Sequence, residues 1–184
     1  MRLISSMSLT TLGVDLNKKA CIATAETVTR AQNESPSTAG TFLNSTQGDL
    51  GASLRNGSVD VLIFNPPYVP TEESPAEIRS LITKYDSDPV TSSARFEADS
   101  RLLALSYAGG VDGMETTNHF LYDLPRILHP TRGVAYLLLC VGNKPASVID
   151  HIKSWGRDWD VVVSGHSGKK AGRETLQILR IWRT

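Results

Sequence analysis

The chain has no charge excess, few cysteines or histidines, and no long apolar run. Its 19 basic and 19 acidic residues cancel, whereas a protein that grips a nucleic-acid backbone usually carries a basic surplus. Only two cysteines occur, Cys21 and Cys140, each inside an apolar segment, so buried free thiols are expected rather than a disulfide framework. The four histidines, His119, His129, His151 and His166, have no spacing relative to each other or to the cysteines that suits zinc or a catalytic triad. The longest apolar stretch, Val134 to Gly142, is too short to cross a bilayer, and Met1 to Leu12 lacks a signal-peptide core. These absences favour a soluble, intracellular protein, and 184 residues provide a core of ordinary domain size.

What is present is concentrated at one place. The run Val59-Asp60-Val61-Leu62-Ile63-Phe64 is apolar and rich in β-branched residues, and it stops at Asn65-Pro66-Pro67-Tyr68. Such a run is predicted to be a buried parallel strand, and open α/β sheets bind ligands at the carboxyl ends of such strands. Two consecutive prolines make a stiff turn with carbonyl acceptors and few donors. An amide precedes them and an aromatic ring follows. Together these groups suit a planar ligand bearing an NH2, with two acceptors for its hydrogens and a ring against its plane.

The surrounding pattern predicts an α/β fold. Thr10 to Asn17 predicts a strand ending in Asp15, Lys18 to Ala31 a helix, and Thr41 to Ser45 a short strand, with loops at Gln32 to Gly40 and at Gln47-Gly48-Asp49-Leu50. Thr71 to Ser100 is polar, holds Pro75 and Pro89, and is predicted to be a long surface excursion, partly disordered, with one helical turn at Ile78 to Ile82. Arg101 to Tyr107 suggests a helix start or a short core segment. Glu115 to Leu128 predicts a helix, Val134 to Val141 a strand and Pro145 to Gly156 an amphipathic helix. Asp160 to Ser164 and Thr175 to Trp182 predict a closing antiparallel hairpin. Between them, Gly165-His166-Ser167-Gly168-Lys169-Lys170 lacks the setting of a phosphate loop and is taken as the hairpin turn.

Two acidic residues are candidates for a ligand. Asp15 ends a strand and precedes a helix, where a carboxylate can take a ribose diol or cap the helix. Asp49 can accept from an adenine amino group, with the Leu50 backbone addressing the ring, or can serve only as a turn former.

Six segments in order, GVDLNKKACIAT, the GDL turn, VDVLIFNPPYVPTEE, LSYAGGVDGMETTNHFL, LPRILHPTRGVAYLLL and KKAGRETLQILRIWR, resemble the catalytic subunit of the eukaryotic release-factor glutamine methyltransferases, a HemK-like family. The resemblance implies a Rossmann-like class I methyltransferase sheet with a C-terminal antiparallel hairpin. It implies S-adenosylmethionine as cofactor, held at Asp15, Asp49, Leu50 and Asn65. It also implies methylation of the glutamine of a Gly-Gly-Gln loop, with Asn65 and Pro66 binding the amide, Tyr68 packing its plane and Pro67 lining the same corner. A small zinc-binding activator would pair with the edge strand Thr41 to Ser45 through Phe42 and Leu43. Members of that family carry a further strand and a Gly-x-Gly-x-Gly loop before the Asp15 strand. Here no glycine precedes Gly13, so an N-terminally truncated form that binds cofactor poorly is expected. Protein lysine is a second substrate the resemblance allows. The alternatives are an adenine or guanine amino methyltransferase, which would want a basic face and a stacking cleft, and a non-catalytic product that keeps only a partner surface.

Overall fold

A computed structural model of the protein describes residues 9–35, 40–83, 91–167 and 175–184. They fall into two compact units, Met1–Leu54 and Arg55–Thr184. Of the predicted turn Gly165 to Lys170, residues 168–170 lie outside the described residues, as do the middle of the Gln32 to Gly40 loop and residues 84–90 of the polar excursion, while Gly165 and His166 belong to a strand instead.

The first unit is a strand, a helix and a parallel strand: β1 (Thr10–Asp15), α1 (Lys18–Glu34) and β2 (Thr41–Gln47). Asn17 caps α1, its side-chain oxygen accepting the Lys19 N–H at 2.9 Å, which satisfies one of the amides a helix start leaves unpaired. The β1–β2 register slips between Thr11 and Leu12, which pair with Phe42 and Asn44. Leu43 is therefore the extra residue of a bulge, and it is 61% exposed.

The second unit holds β3 (Val61–Phe64), α2 (Pro75–Thr83), α3 (Ser92–Leu105), α4 (Glu115–Ile127), β4 (Val134–Cys140), α5 (Pro145–Lys153), β5 (Trp159–His166) and β6 (Leu176–Arg183). Its sheet runs β3-β4-β6-β5, parallel between β3 and β4 and antiparallel elsewhere. The predicted closing hairpin is β5–β6. Alternate residues of β4, Ala135, Leu137 and Leu139, are fully buried, and Leu179 and Ile181 stand opposite Leu137 and Ala135 on β6. Leu121, Leu124 and Ile127 of α4 and Val148 and Ile152 of α5 complete this core. Truncating any of these leucines to alanine would cost about 2–5 kcal/mol.

Two further expectations are corrected. The strand ahead of Asn-Pro-Pro-Tyr is not buried on both faces: Val61 is 53% and Ile63 81% exposed, while Leu62 and Phe64 are half-buried. Val61 and Ile63 share one face of β3, and Leu62 and Phe64 the other, so it is one face that stands open. β3 is also the end strand of its sheet, paired only with β4 among the described residues. Most of the polar excursion is helical rather than irregular. α2 opens with a reciprocal cap in which the Ser74 hydroxyl accepts the Glu77 N–H at 3.2 Å and the Glu77 carboxylate accepts the Ser74 N–H at 2.9 Å, with Pro75 in the first turn. α3 packs on α2. No helix among the described residues is long and apolar enough to cross a membrane.

A forked ion pair secures the approach to β3. Arg126 donates to both carboxylate oxygens of Asp123, at 2.7 and 2.6 Å, and to the Asn56 side-chain oxygen at 3.0 Å. The Arg126 carbonyl accepts the Gly57 N–H, and Ile127 does the same for Val59. The guanidinium hydrogen bonds hold the Asp123 carboxyl below its ordinary value, against a smaller opposing effect of burial. A depressed carboxyl stabilises the fold above the unfolded-state value, near 4, and that stabilisation is lost as pH falls through the lower folded value. Asp123→Asn is expected to lower the urea midpoint at pH 7 and to differ from wild type much less at pH 3. Urea titrations of both proteins at the two pH values check this.

Candidate active site

The corner after β3 is assembled from three distant segments. Phe64 turns inward, its ring tilted 38° against Phe120 of α4 with centroids 4.5 Å apart. One residue on, Asn65 is exposed, Pro66 is buried, and Pro67 and Tyr68 are half-buried. Phe64 thus anchors the strand end while the next side chain faces out. No hydrogen bond engages the Asn65 carboxamide among the described residues. Two prolines lock the chain beside it.

Beyond Tyr68 the chain adds to the segment Ala108 to Gly110. Val69 and Ala108 form a parallel bridge, with the Val69 N–H on the Tyr107 carbonyl at 2.9 Å and the Gly109 N–H on the Val69 carbonyl at 2.8 Å. Thr71 exchanges two bonds with Gly110, at 3.1 Å each. The Ala-Gly-Gly-x-Asp-Gly segment is glycine-rich for a reason visible here. Gly113 has φ +69°, and a Cβ there would overlap the Tyr68 carbonyl oxygen and lie 2.8 Å from the Asn143 amide nitrogen. At Gly110, also at φ +69°, a Cβ would overlap the Glu115 carboxyl, which accepts the Val111 N–H at 3.1 Å. The turn is therefore pressed backbone to backbone against the last residue of the tetrapeptide.

Sequence reasoning missed Asn143. It lies just past the end of β4, is 1% exposed, and all of its amide is used. Its oxygen accepts the Cys140 N–H at 3.0 Å. Its nitrogen faces the carbonyls of Tyr68 at 3.0 Å, Asp112 at 3.2 Å and Gly113 at 3.4 Å. The turn that holds it is itself bent, with Lys144 at φ +52° and Asp112 at φ +54°, and these two side chains pair at 2.9 Å on the surface. An asparagine after an apolar strand looks like any turn residue, so only its burial identifies it.

Asp15, Asp49 and Leu50 lie together at the carboxyl end of the β1–β2 pair. The Gly48 N–H donates to the Asp15 carbonyl at 3.0 Å, and Asp15 stands opposite Gln47. Asn17, not Asp15, caps α1; one Asp15 carboxylate oxygen accepts the Asn17 N–H at 2.7 Å, and the side chain is exposed. Leu50 adopts φ +49°, which turns the chain sharply after Asp49. These residues belong to the first unit and Asn65 to Tyr68 to the second. Both cysteines are free, and no group of three or more His, Cys, Asp or Glu among the described residues is arranged to hold a metal.

A strand–helix–strand unit, a mixed sheet with helices and an Asn-Pro-Pro-Tyr corner at a strand's carboxyl end make this an α/β chain. No family model matches the sequence. It is 35% identical to the "eRF1 methyltransferase catalytic subunit mtq2" of Schizosaccharomyces pombe, over 92% of this chain and 62% of that protein. It is 32% identical to mouse "Methyltransferase HEMK2" over 67% of this chain and 45% of that protein. Among solved structures, a chain of the E. cuniculi Mtq2–Trm112 complex, responsible for methylation of the eRF1 translation termination factor, superposes with a TM-score of 0.54 at 19% identity. The match covers 97% of this chain and 88% of that one. The protein is thus HEMK2/Mtq2-like, and it spans 62% and 45% of the length of these two curated relatives.

Proposed function

We propose that the protein acts as a methyltransferase that uses S-adenosylmethionine to methylate the glutamine side chain of a Gly-Gly-Gln loop in a translation release factor. One observation carries the reading: an exposed, unengaged carboxamide at Asn65, fixed beside two prolines that offer carbonyls and no N–H groups. The described similarity to eRF1 methyltransferases supports the same substrate.

A glutamine amide is a poor nucleophile because resonance draws its nitrogen lone pair into the carbonyl. Its two N–H groups would donate to the Asn65 side-chain oxygen and the Pro66 carbonyl, turning the nitrogen toward the incoming carbon. The same two acceptors stabilise the positive charge that builds on nitrogen during attack. Tyr68 packs against the amide plane, and Pro67 keeps the corner from flexing. Alignment supplies most of the acceleration, so no strong base is required before transfer. The cofactor, when bound, supplies a methyl group already activated on a sulfonium. Asp15, exposed at a strand end with one oxygen engaged locally, and Asp49 with Leu50 in the adjacent sharp turn are suited to the ribose hydroxyls and the adenine. The other edge of β2, with Leu43 bulged outward, is the place for a Trm112-like activator to add a strand.

The test is full-length protein co-expressed with such an activator, incubated with methyl-labelled cofactor and release factor, protein lysine substrates, DNA or RNA. Label mapped by mass spectrometry to the Gly-Gly-Gln glutamine is the expected result. Label confined to nucleic acid, or to lysine, would overturn the assignment.

A further inference from the structure

We infer that Asn143 is a positioning residue for the transfer, acting through Tyr68; this rests on the function proposed above. The Asn143 amide nitrogen has two hydrogens and three carbonyl oxygens around it, those of Tyr68, Asp112 and Gly113. Its oxygen is committed to the Cys140 N–H. With the carboxamide pinned at its oxygen, its nitrogen has one orientation, and that orientation fixes the Tyr68 carbonyl. The Asn143 bond to this carbonyl and the one from the Val69 N–H to the Tyr107 carbonyl together fix the peptide plane that follows Tyr68, and with it the backbone from which the ring projects. The prolines stiffen the tetrapeptide from within, but they contribute no N–H that could tie it to the rest of the fold. Asn143 supplies a tie from outside, across 75 residues of sequence. Gly113 permits it, because any side chain at that position would occupy the space between Tyr68 and Asn143.

The chemical consequence is specific. A ring and two acceptors that share one substrate amide must keep their spacing, and an error of about 1 Å at a reacting centre can cost about 100-fold in rate. Loss of the Asn143 donor removes one restraint on the Tyr68 carbonyl, while the Val69 bridge, Asn65 and the Asp15–Leu50 cluster stay in place.

A double-mutant cycle tests this, on the full-length protein with its activator: wild type, Asn143→Ala, Tyr68→Ala and the double variant. Measurements are kcat and KM for release factor, cofactor dissociation constant by calorimetry, and the denaturation midpoint. Asn143→Ala is expected to lower kcat at least 10-fold, with cofactor affinity within 2-fold of wild type. In the Tyr68→Ala background the same change is expected to lower kcat less than 3-fold, because the element it acts through is gone. Equal factors in both backgrounds would reduce Asn143 to a general structural residue and overturn the inference, as would a kcat within 3-fold of wild type. Should Asn143→Ala fail to fold, Asn143→Ser runs the same cycle, since it is small, neutral and polar and removes the amide nitrogen that faces the Tyr68 carbonyl. A wild-type complex that labels release-factor glutamine but gives additive variants defeats the Asn143 role alone. A wild-type complex that labels no glutamine defeats both readings.

Discussion

Asn65→Ala is expected to lower kcat/KM for release-factor methylation by at least 100-fold, with the unfolding midpoint close to wild type. The side chain is exposed and holds no other part of the fold among the described residues, so its removal should leave stability within about 0.5 kcal/mol. Losing one fixed acceptor where charge develops costs about 2.7–4 kcal/mol of transition-state stabilisation in comparable sites. Asn65→Asp makes the test sharper. It keeps an acceptor at the same place and adds negative charge near a nitrogen turning positive, so it should lose less than alanine. Steady-state kinetics on the three proteins decide the matter: equal losses for Ala and Asp would mean that acceptance of the substrate N–H is not what Asn65 contributes.

The second large effect is on stability. Gly113→Ala is expected to cost about 3 kcal/mol or more, lowering the melting temperature by roughly 6–12 °C for a domain of this size. Two costs combine. An L-residue at φ +69° loses about 1 kcal/mol against glycine. Its methyl group would also overlap the Tyr68 carbonyl and crowd the Asn143 nitrogen, neither of which is the yielding end of a flexible side chain. Gly142→Ala is the control. That glycine lies nearby but has ordinary backbone angles, and a Cβ there would sit 3.5 Å from the Cys140 sulfur, in normal contact. Calorimetric melting should leave it within about 0.5 kcal/mol of wild type.

The parts of this fold that a reader of the sequence can find are those whose apolar residues keep a period. β4 announces itself because Ala135, Leu137 and Leu139 alternate into the core, and α4 because Phe120, Leu121, Leu124 and Ile127 share one face. The first turns of α3 escaped because the helix's large apolar residues do not form such a stripe: Phe96 is 73% and Leu103 66% exposed. Arg101 to Tyr107, expected to start a helix or form a short core segment, holds the end of α3. α2 left a usable signal, the Ser74-Pro-Ala-Glu77 cap, which outweighs the polar composition around it. β3 misled in the other direction, since its residues suit burial while the face that carries Val61 and Ile63 stands open. Of the candidate site, the tetrapeptide could be singled out because its residue types stand side by side in the sequence. Asn143 could not, because its meaning lies in carbonyls 30 to 75 positions away. The Ala-Gly-Gly-x-Asp-Gly glycines stood between these cases: their permissiveness could be read, but the surface they lie against could not.

The long reach of the Asn143 amide also bears on how the protein is made. Tyr68 emerges 75 residues before the group that secures its carbonyl, an interval of roughly 4–15 seconds at ordinary translation rates of about 5–20 residues per second. During that interval the Tyr68 carbonyl lacks its Asn143 donor, and closing so large a loop is among the slower steps available to a chain of this topology. Competence to bind substrate would therefore appear late in biosynthesis, after the β4 segment has joined its neighbours. A nascent polypeptide halted before residue 143 would carry the whole tetrapeptide without the donor that holds its Tyr68 carbonyl.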